Sequence, residues 1–222
     1  MNIFNNIKGV VMDMDGVLCD SEPFMSEAGV EMFRRVYSVT VKQDDFLPFV
    51  GMGENRYLGG VAEKYGIKLN MEKDKISAYS IYLELIKGRL KPIRGAIEFV
   101  RECRKRGIKT AIATSADRMK MDGNLKEIGI HTEMIDACVY GELIARKKPA
   151  PDIFLKAISL LNLGPAECLV MEDAISGITA AKSAGAIPVG ISSSLDKSTL
   201  QKAGAVLVCS DLQNVMEHLI NG

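Results

Sequence analysis

Three carboxylates lie within eight residues near the start of the sequence, directly after a short apolar run. Asp13, Asp15 and Asp20 follow residues 10–12, and Gly16 comes after the second carboxylate. At about 4 Å and an effective dielectric constant near 20, each like-charged pair costs roughly 4 kcal/mol. A fold tolerates such crowding where a cation, a buried proton or a reaction makes use of the negative charge. This stretch is therefore the first candidate for chemistry.

Other polar side chains follow later apolar runs, at points where predicted strands end. They are Thr114 and Ser115, Lys148 before Pro149, and Glu172 with Asp173. The carboxyl ends of parallel strands meet at one edge of a sheet, so we expect these groups to converge with Asp13 and Asp15. Hard oxygen ligands in that number suit Mg²⁺.

One division of labour fits such a cluster. A carboxylate can attack phosphorus and form an aspartyl phosphate, which splits a difficult displacement into two steps. A second carboxyl group can protonate the leaving oxygen and then deprotonate the attacking water. A lysine, a hydroxyl group and backbone N–H groups can hold the phosphoryl oxygens while a metal ion offsets their charge. Gly16 would let the backbone turn so that Asp13 and Asp15 both face the crevice.

Short β-rich runs alternate with amphipathic segments along most of the chain, which predicts an α/β fold with a Rossmann-like parallel sheet. Glycines follow many of the amphipathic segments, as at Gly107, Gly129 and Gly204, where the end of a helix often needs φ > 0. The predicted strands are 9–13, 109–114, 134–139, 168–171, 186–191 and 206–209. The predicted helices between them are 96–106, 117–128, 152–161, 174–184 and 199–203.

The alternation stops between the first two predicted strands. Residues 18–91 contain no convincing buried strand and are typical of helices over 22–37, near 44–49, and over 54–65 and 71–87. A crossover between parallel strands needs about a dozen residues, and this segment has more than seventy. We therefore predict an all-α helical cap (18–91) inserted into a discontinuous core domain (1–17 and 92–222). Such a cap would cover the ligand crevice of an open α/β sheet and exclude water.

Four segments match, in order, the four motifs of the haloacid dehalogenase superfamily. They are Asp13-Met-Asp-Gly-Val-Leu, the predicted strand ending at Thr114, Lys148-Pro-Ala-Pro-Asp, and Met171-Glu-Asp-Ala-Ile-Ser-Gly. Across essentially the whole chain, the sequence most resembles the β-phosphoglucomutase-like phosphatases, whose cap is α-helical. Four ordered motifs at suitable spacing are a specific signal, whereas the first motif alone would be a weak one.

The resemblance implies a role for each matching residue. Asp13 would be the nucleophile and Asp15 the general acid/base. Thr114 and Lys148 would bind the transferring phosphoryl group. Lys147 is the competing lysine, but the residue directly before the proline is the one that matches the family.

The same resemblance implies a Mg²⁺ site and further contacts to the substrate. The expected metal ligands are the carboxylates of Asp13 and Asp173 and the backbone carbonyl of Asp15. Glu172 is expected either as a fourth ligand or as a residue that contacts the ligands without binding the metal. The expected phosphate contacts are the backbone amides of Met14 and Ser115. The stretch 51–56 itself predicts a cap loop that faces the active site, with Gly51 and Arg56 as substrate contacts.

A mutase must hold the second phosphate of a sugar bisphosphate, whereas a phosphatase needs no such contact. The mutases of this branch use a histidine after the first motif, an arginine in the cap loop and a lysine late in the cap. An ungapped alignment places Met25, Glu54 and Tyr82 at these positions. Arg56 could substitute for the arginine, although a shifted guanidinium is not equivalent. We therefore predict a phosphatase acting on a small phosphorylated metabolite, with sugar phosphates among the candidates, and keep a β-phosphoglucomutase-type mutase as the alternative.

Three other functions are weaker alternatives. Dehalogenase chemistry attacks carbon and needs neither Mg²⁺ nor an acid at Asp15. A phosphonate hydrolase would need a cap lysine that forms a Schiff base, for which Lys42 and Lys64 are the candidates. A non-catalytic binding or regulatory domain would keep the fold without turnover, but every catalytic position is intact.

Composition narrows the partners and the compartment. The 222 residues include 28 Lys and Arg and 28 Asp and Glu, so no global field attracts nucleic acid or an anionic membrane. The five cysteines form no C-x-x-C pair, which indicates reduced thiols and neither zinc nor disulfides. No apolar stretch reaches the roughly 20 residues of a membrane span, and the first residues lack the pattern of a signal peptide. We expect a cytoplasmic monomer that binds a small phosphorylated molecule.

Overall fold

A computed structural model describes residue 4 and residues 6–221 of the chain. Its strands are β1 (Gly9–Met12), β2 (Lys109–Ala113), β3 (Ala137–Val139), β4 (Cys168–Glu172), β5 (Ile187–Ile191) and β6 (Leu207–Cys209). Within these described residues they form one sheet in the order β3-β2-β1-β4-β5-β6, and all neighbouring strands are parallel. The predicted α/β fold with a parallel sheet is therefore confirmed.

Helices cover both faces of this sheet. The helices of the described residues are α1 (Glu22–Tyr37), α2 (Glu54–Lys64), α3 (Met71–Ile86), α4 (Ala96–Lys105), α5 (Arg118–Ile128), α6 (Asp152–Leu160), α7 (Ile175–Ser183), α8 (Lys197–Ala203) and α9 (Leu212–Asn221), and those from α4 onward belong to the core. Side chains alternate across a strand, so Val10 and Met12 of β1 pack on the side of α4 and α9, and Val11 packs on the side of α6 and α7. The central strand is buried on both sides, which explains its uninterrupted apolar sequence.

Two predicted elements differ from the structure in type or by more than two residues at one end. Strand β3 starts three residues later than predicted, because Thr132–Met134 form a 3₁₀ turn. The Asp136 carboxylate just before β3 accepts the backbone N–H of Thr110 at 2.7 Å, so a side chain replaces a carbonyl of the ladder there. In the cap, the helix predicted near 44–49 is two 3₁₀ turns, Gln43–Asp45 and Leu47–Phe49. Pro48 lacks the N–H group that a continuous helix would use.

The first three helices all lie between β1 and β2 along the chain and form the helical layer that was predicted. Helix α1 packs along α3, and the Phe46 ring lies 6.3 Å from Phe33 of α1 and 4.9 Å from Tyr57 of α2. The two connections to the sheet run side by side, since the Ile93 N–H donates to the Leu18 carbonyl at 2.8 Å. We propose the domain boundaries at this pair of connections, near residues 17 and 92.

The helical cap rests on α5 of the core. Tyr82 of α3 donates its hydroxyl hydrogen to the Asn124 side chain of α5. Lys75 of α3 forms an ion pair with Asp117, just before α5. These contacts place the first turn of α2 over the edge of the sheet where β1, β2 and β4 end.

Two expectations about chemistry and compartment can be compared with the structure. All five cysteines are free, and four are buried, as expected for reduced thiols. Over residue 4 and residues 6–221, every helix is too short or too polar to cross a bilayer.

Candidate active site

A cleft of about 300 Å³ lies between the cap and the carboxyl edge of the sheet. The core contributes the residues that follow β1, β2 and β4, and the cap contributes the loop and first turn of α2. The predicted residues that line the cleft are Asp13, Asp15, Gly51, Thr114, Ser115, Lys148, Glu172 and Asp173. The topology of the sheet thus brings together polar groups that are up to 160 positions apart in sequence (173 − 13 = 160).

Asp13 and Lys148 form the centre of the site. Asp13 directly follows β1, and its N–H donates to the Met171 carbonyl at 3.0 Å, so the strand ladder fixes its backbone. The Lys148 ammonium lies 2.5 Å from Asp13 Oδ1 and also contacts Glu172 Oε1. All three side chains are buried. Burial lowers the pKa of Lys148, but the attraction of Asp13 and Glu172 outweighs it and raises the pKa above its usual range.

Three buried carboxylates face one another around this centre. Oxygen atoms of Asp13, Glu172 and Asp173 all lie within 4.8 Å of each other. Burial raises the pKa of Asp13 above its ordinary value, the Lys148 ammonium opposes this, and the Glu172 carboxylate adds to it. Burial likewise raises the pKa of Asp173, with a further contribution from the Asp13 carboxylate. One ammonium group does not balance three buried carboxylates, and crowded oxygen ligands are what a divalent cation such as Mg²⁺ requires.

Asp15 has a different environment from Asp13. Its carboxylate accepts hydrogen bonds from the Ser21 hydroxyl and, at 3.1 Å, from the Lys120 ammonium. The Asp15 side chain is 28% exposed, whereas that of Lys120 is 3% exposed. Burial lowers the pKa of Lys120, but the carboxylates of Asp15 and Glu54 outweigh it, so the pKa is raised. Two carboxylates two residues apart are therefore held by two different lysines.

Two hydroxyl groups follow β2 at the same edge. Thr114 Oγ1 accepts the backbone N–H of Ala116 at 3.1 Å, and the side chain lines the cleft. Ser115 Oγ is buried and has no hydrogen-bond partner within residue 4 and residues 6–221. A buried polar atom without a partner is uncommon in a native protein unless a bound group or water supplies one.

The structure separates the two adjacent lysines before Pro149. Lys148 is the lysine that reaches Asp13. Lys147 instead donates to the backbone carbonyls of Gly141 and Ile144, the latter at 3.0 Å. The lysine chosen from the sequence is thus the one that lies beside the predicted nucleophile.

Not every predicted contact reaches the cleft. Arg56 donates to both oxygens of Glu63 at 2.9 Å, lies over the Phe49 ring, and is absent from the cleft lining of the described chain. The Met14 side chain is fully buried, so only its backbone can face a phosphate. Met25 and Tyr82 are also fully buried, and neither belongs to that lining.

Comparison with known proteins agrees with this geometry. Residues 7–185 match the family model of haloacid dehalogenase-like hydrolases. The chain belongs to the haloacid dehalogenase-like hydrolase family. It is 33% identical over 225 residues to the phosphorylated carbohydrates phosphatase of Thermotoga maritima, an alignment that covers 96% of this chain and all of the relative. A solved structure from the same organism, named a "putative beta-phosphoglucomutase", superposes with a TM-score of 0.76 at 30% identity and covers 96% of this chain and 100% of that one.

A plant relative shows that this kind of hydrolase also occurs within a longer protein. The chain is 39% identical over 218 residues to the chloroplastic protein SUPPRESSOR OF QUENCHING 1 of Arabidopsis thaliana. The alignment covers 96% of this chain. The chain spans about a fifth of the length of that relative. Because a chloroplastic relative exists, the cytoplasmic compartment stays a prediction. The monomeric state also stays a prediction.

The phosphatase name of the Thermotoga relative confirms the predicted enzyme class, a phosphoric monoester hydrolase of the haloacid dehalogenase-like family.

Sequence reasoning missed several residues of this hydrolase site. Lys120 comes from a helix of the core, and Ser194, whose hydroxyl donates to Asp173, comes from the loop after β5. Glu22 of the cap is also missed: it lines the cleft and accepts the Tyr57 hydroxyl at 2.5 Å. Only Ser194 had a usable signal, because it follows a predicted strand as the other site residues do.

The backbone of Gly16 packs closely against the Asp173 carboxylate. Its φ is +75°, a conformation that side chains rarely adopt, and a Cβ there would overlap the Asp173 carboxylate. We expect Gly16→Ala to lower the free energy of unfolding by roughly 1–3 kcal/mol and to reduce turnover because Asp173 must move. Denaturant unfolding and phosphate release measure both effects. Gly88→Ala is the control, because its φ is +68° but nothing lies within 4 Å of its added Cβ. Equal turnover in both variants would contradict this account.

The crowded carboxylates predict how stability depends on pH without a metal. The pKa values of Asp13 and Asp173 are higher in the folded than in the unfolded chain, mainly through burial. Ionising these two carboxyl groups therefore costs the folded chain more than the unfolded chain. Their favourable contribution to the free energy of unfolding is complete below about pH 4 and is lost as pH rises through the pKa values of the folded state. We expect metal-free protein to have a lower free energy of unfolding at about pH 8 than at about pH 5.5. Denaturant unfolding in a chelator tests this, and Asp173→Asn should flatten the trend.

Proposed function

We propose that the protein is a Mg²⁺-dependent phosphatase that acts on small phosphorylated carbohydrates through an aspartyl-phosphate intermediate. The observation that carries the proposal is the buried Asp13 carboxylate, which has Lys148 at 2.5 Å and two further carboxylates within 4.8 Å. A general base or metal cluster alone would not need a lysine at the same carboxylate. A nucleophile that receives a phosphoryl group does, because negative charge accumulates there.

The first half of the reaction forms the intermediate. An Asp13 oxygen attacks phosphorus, the bond from phosphorus to the ester oxygen breaks, and Asp15 gives its proton to the departing alcohol. The buried Lys148 ammonium and the Thr114 hydroxyl hold the phosphoryl oxygens, and the unpartnered Ser115 Oγ is available to donate to them.

The second half of the reaction releases phosphate. Asp15, now ionised, takes a proton from a water molecule, whose oxygen attacks phosphorus. The bond between phosphorus and the Asp13 oxygen breaks, and inorganic phosphate leaves with Asp13 as a carboxylate and Asp15 protonated again. Lys120 at 3.1 Å from Asp15 fixes the direction in which this carboxylate points in both steps.

The residues around Asp13 fit a magnesium ion. Asp13 and Asp173 offer buried carboxylate oxygens within 4.8 Å of each other, and the backbone carbonyl of Asp15, which the family resemblance implies as a ligand, would add a third hard oxygen. Both Glu172 oxygens are engaged, one by Lys148 and the other by the N–H groups of Asp173 and Ala174, which favours a supporting position for this residue. When bound, the cation offsets the charge of the phosphoryl group and of the carboxylates.

Hydrolysis fits the cap better than a mutase reaction does. A mutase must hold a second phosphate, and the cap side chains at the relevant positions are buried or acidic, while Arg56 is engaged by Glu63. The name of the Thermotoga relative, a phosphatase of phosphorylated carbohydrates, supports both the reaction and the substrate class.

The test is phosphate release by the purified protein from a panel of sugar and polyol phosphates, with Mg²⁺ and with a chelator. We expect phosphate release that requires Mg²⁺. The thermal unfolding midpoint should also rise with Mg²⁺, because binding at 100 times the dissociation constant stabilises the folded chain by about 2.7 kcal/mol. Interconversion of β-glucose 1-phosphate and glucose 6-phosphate without release would favour the mutase. Absence of any reaction on the whole panel would favour a binding domain.

A further inference from the structure

The wall that the cap contributes to the cleft is acidic. Its charged side chains in the described chain are Glu22 and Glu54, and Asp20 adds a third carboxylate from the connection below α1. The core supplies two cations to the cleft, Lys148 and Lys120, and each already contacts a core carboxylate. The side of the cleft that receives the leaving group therefore has an excess of negative charge.

Glu54 is the carboxylate of this wall that lacks a hydrogen-bond donor. It lines the cleft, its residue is only 7% exposed, and no donor within residue 4 and residues 6–221 reaches its oxygens at hydrogen-bond distance. The nearest cation, Lys120, lies 3.8 Å away and hydrogen-bonds to Asp15 instead. Glu22, by contrast, accepts the Tyr57 hydroxyl. Glu54 lines the cleft, so a bound ligand can supply the donor that this largely buried carboxylate lacks.

We propose that Glu54 determines substrate specificity: it accepts hydrogen bonds from hydroxyl groups of a carbohydrate monophosphate and excludes leaving groups that carry a second anion. The inference rests on the proposed phosphatase function and names its substrate class. A sugar hydroxyl supplies the donor that Glu54 lacks. A second phosphate would instead face the three carboxylates of the wall, and like-charge contacts of this kind suppress the wrong partner.

The test compares mono- and bisphosphates of the same sugar. The wild-type protein and Glu54→Gln are assayed with glucose 6-phosphate, glucose 1,6-bisphosphate and phenyl phosphate, an ester without hydroxyl groups. We expect the wild-type protein to prefer the monophosphate by about 100-fold in kcat/KM. Glu54→Gln should shrink this preference by about tenfold or more, mostly through the KM values, because it removes the charge that repels the second phosphate. Its kcat/KM for phenyl phosphate should change less than its kcat/KM for glucose 6-phosphate.

Two further variants make the outcome decisive. Glu72→Gln removes an exposed glutamate from the first turn of α3, outside the cleft, and should behave as the wild type on all three esters. Glu54→Asp keeps the charge but withdraws the carboxylate, so it should lose activity on the monophosphate and keep the discrimination. If Glu54→Gln does not fold, the loss of monophosphate activity in Glu54→Asp still tests the hydrogen-bond role, and equal wild-type rates on the mono- and bisphosphate would overturn the exclusion.

The failure of this inference is distinguishable from the failure of the proposed function. Release of phosphate from phenyl phosphate with equal rates on the mono- and bisphosphate, unchanged in Glu54→Gln, would overturn the role of Glu54 and leave the phosphatase standing. Absence of Mg²⁺-dependent release from every ester would overturn both.

Discussion

The variant Asp13→Asn is expected to lose turnover by at least about 10⁴-fold while it keeps its fold, because an amide of nearly the same shape cannot attack phosphorus. Phosphate release in the presence of Mg²⁺ measures the loss. Asp13 is buried at the end of β1, and the ladder bond from its N–H to Met171 does not involve the side chain. The substitution therefore removes the proposed nucleophile without removing a backbone contact.

The same variant should not be destabilised in the absence of metal. Asp13 is one of three crowded carboxylates, and burial and Glu172 raise its pKa. An uncharged side chain there relieves repulsion, so we expect the free energy of unfolding in a chelator at about pH 8 to be equal to or higher than that of the wild type. A smaller stabilisation by added Mg²⁺ should accompany it, since one ligand is lost.

A trapping experiment distinguishes a nucleophile from a general base. Protein denatured during turnover of a ³²P-labelled substrate should carry label that hydroxylamine releases, as expected of an acyl phosphate, and Asp13→Asn should carry none. Asp44→Asn, an exposed aspartate of the cap, is the control and should label as the wild type does. Label retained in Asp13→Asn, or turnover within about tenfold of the wild type, would contradict the assignment.

The parts of the site that could be predicted from the sequence are those fixed by the sheet. Asp13, Thr114 and Asp173 each directly follow a strand. The carboxyl ends of parallel strands lie at one edge of the sheet, so these positions meet there whatever the rest of the fold does. The apolar runs before them are strong signals because the central strands are buried on both faces. Their positions therefore follow from local patterns and one topological rule.

The side-chain directions in the cap follow from helical geometry that the sequence does contain. Tyr57, Leu58 and Val61 are buried and share one face of α2, and Glu54 lies on that face at i − 3 and i − 4 from the first two. Arg56 is two residues from Glu54 and therefore points away from it, where it meets Glu63. The prediction that Arg56 contacts substrate rested on its separation of two residues from Glu54 and ignored the direction of its side chain.

Lys120 illustrates what the sequence could not supply. It is a charged residue on a helix, and such residues are exposed in most proteins. Its burial depends on the cap lying over α5 and on two carboxylates, Asp15 and Glu54, that come from different domains. Contacts of this kind depend on how two units meet, and no local pattern encodes that.

The variant Lys148→Met should lose both activity and stability, and the two losses have one cause. Lys148 is the only cation in contact with the carboxylates of Asp13 and Glu172 within the described residues. Removing one partner of a buried ion pair leaves an uncompensated charge and costs about 3–5 kcal/mol. If Lys148 holds the phosphoryl oxygens as proposed, the loss of its positive charge should lower kcat/KM by about 10²–10³-fold. Urea unfolding in a chelator and phosphate release with Mg²⁺ measure the two quantities.

The pH dependence of this loss tests its electrostatic origin. Without Lys148 the pKa values of Asp13 and Glu172 should rise further, because the attraction that opposes burial is gone. The destabilisation relative to the wild type should therefore be larger at about pH 8, where the carboxylates must ionise, than at about pH 5.5, where they can keep a proton. Saturating Mg²⁺ should recover part of the lost stability, since a cation again offsets the carboxylates.

The neighbouring lysine provides the control for this prediction. Lys147→Met removes an ammonium group that donates to the Gly141 and Ile144 carbonyls and does not contact Asp13. We expect a modest change in stability and turnover within about tenfold of the wild type. If Lys147→Met were the inactive variant and Lys148→Met the active one, the phosphoryl group would have to lie beside Lys147, away from Asp13. A Lys148→Met protein as stable as the wild type at about pH 8 would show that Asp13 and Glu172 do not need the ammonium group, and the electrostatic account of the site would fail.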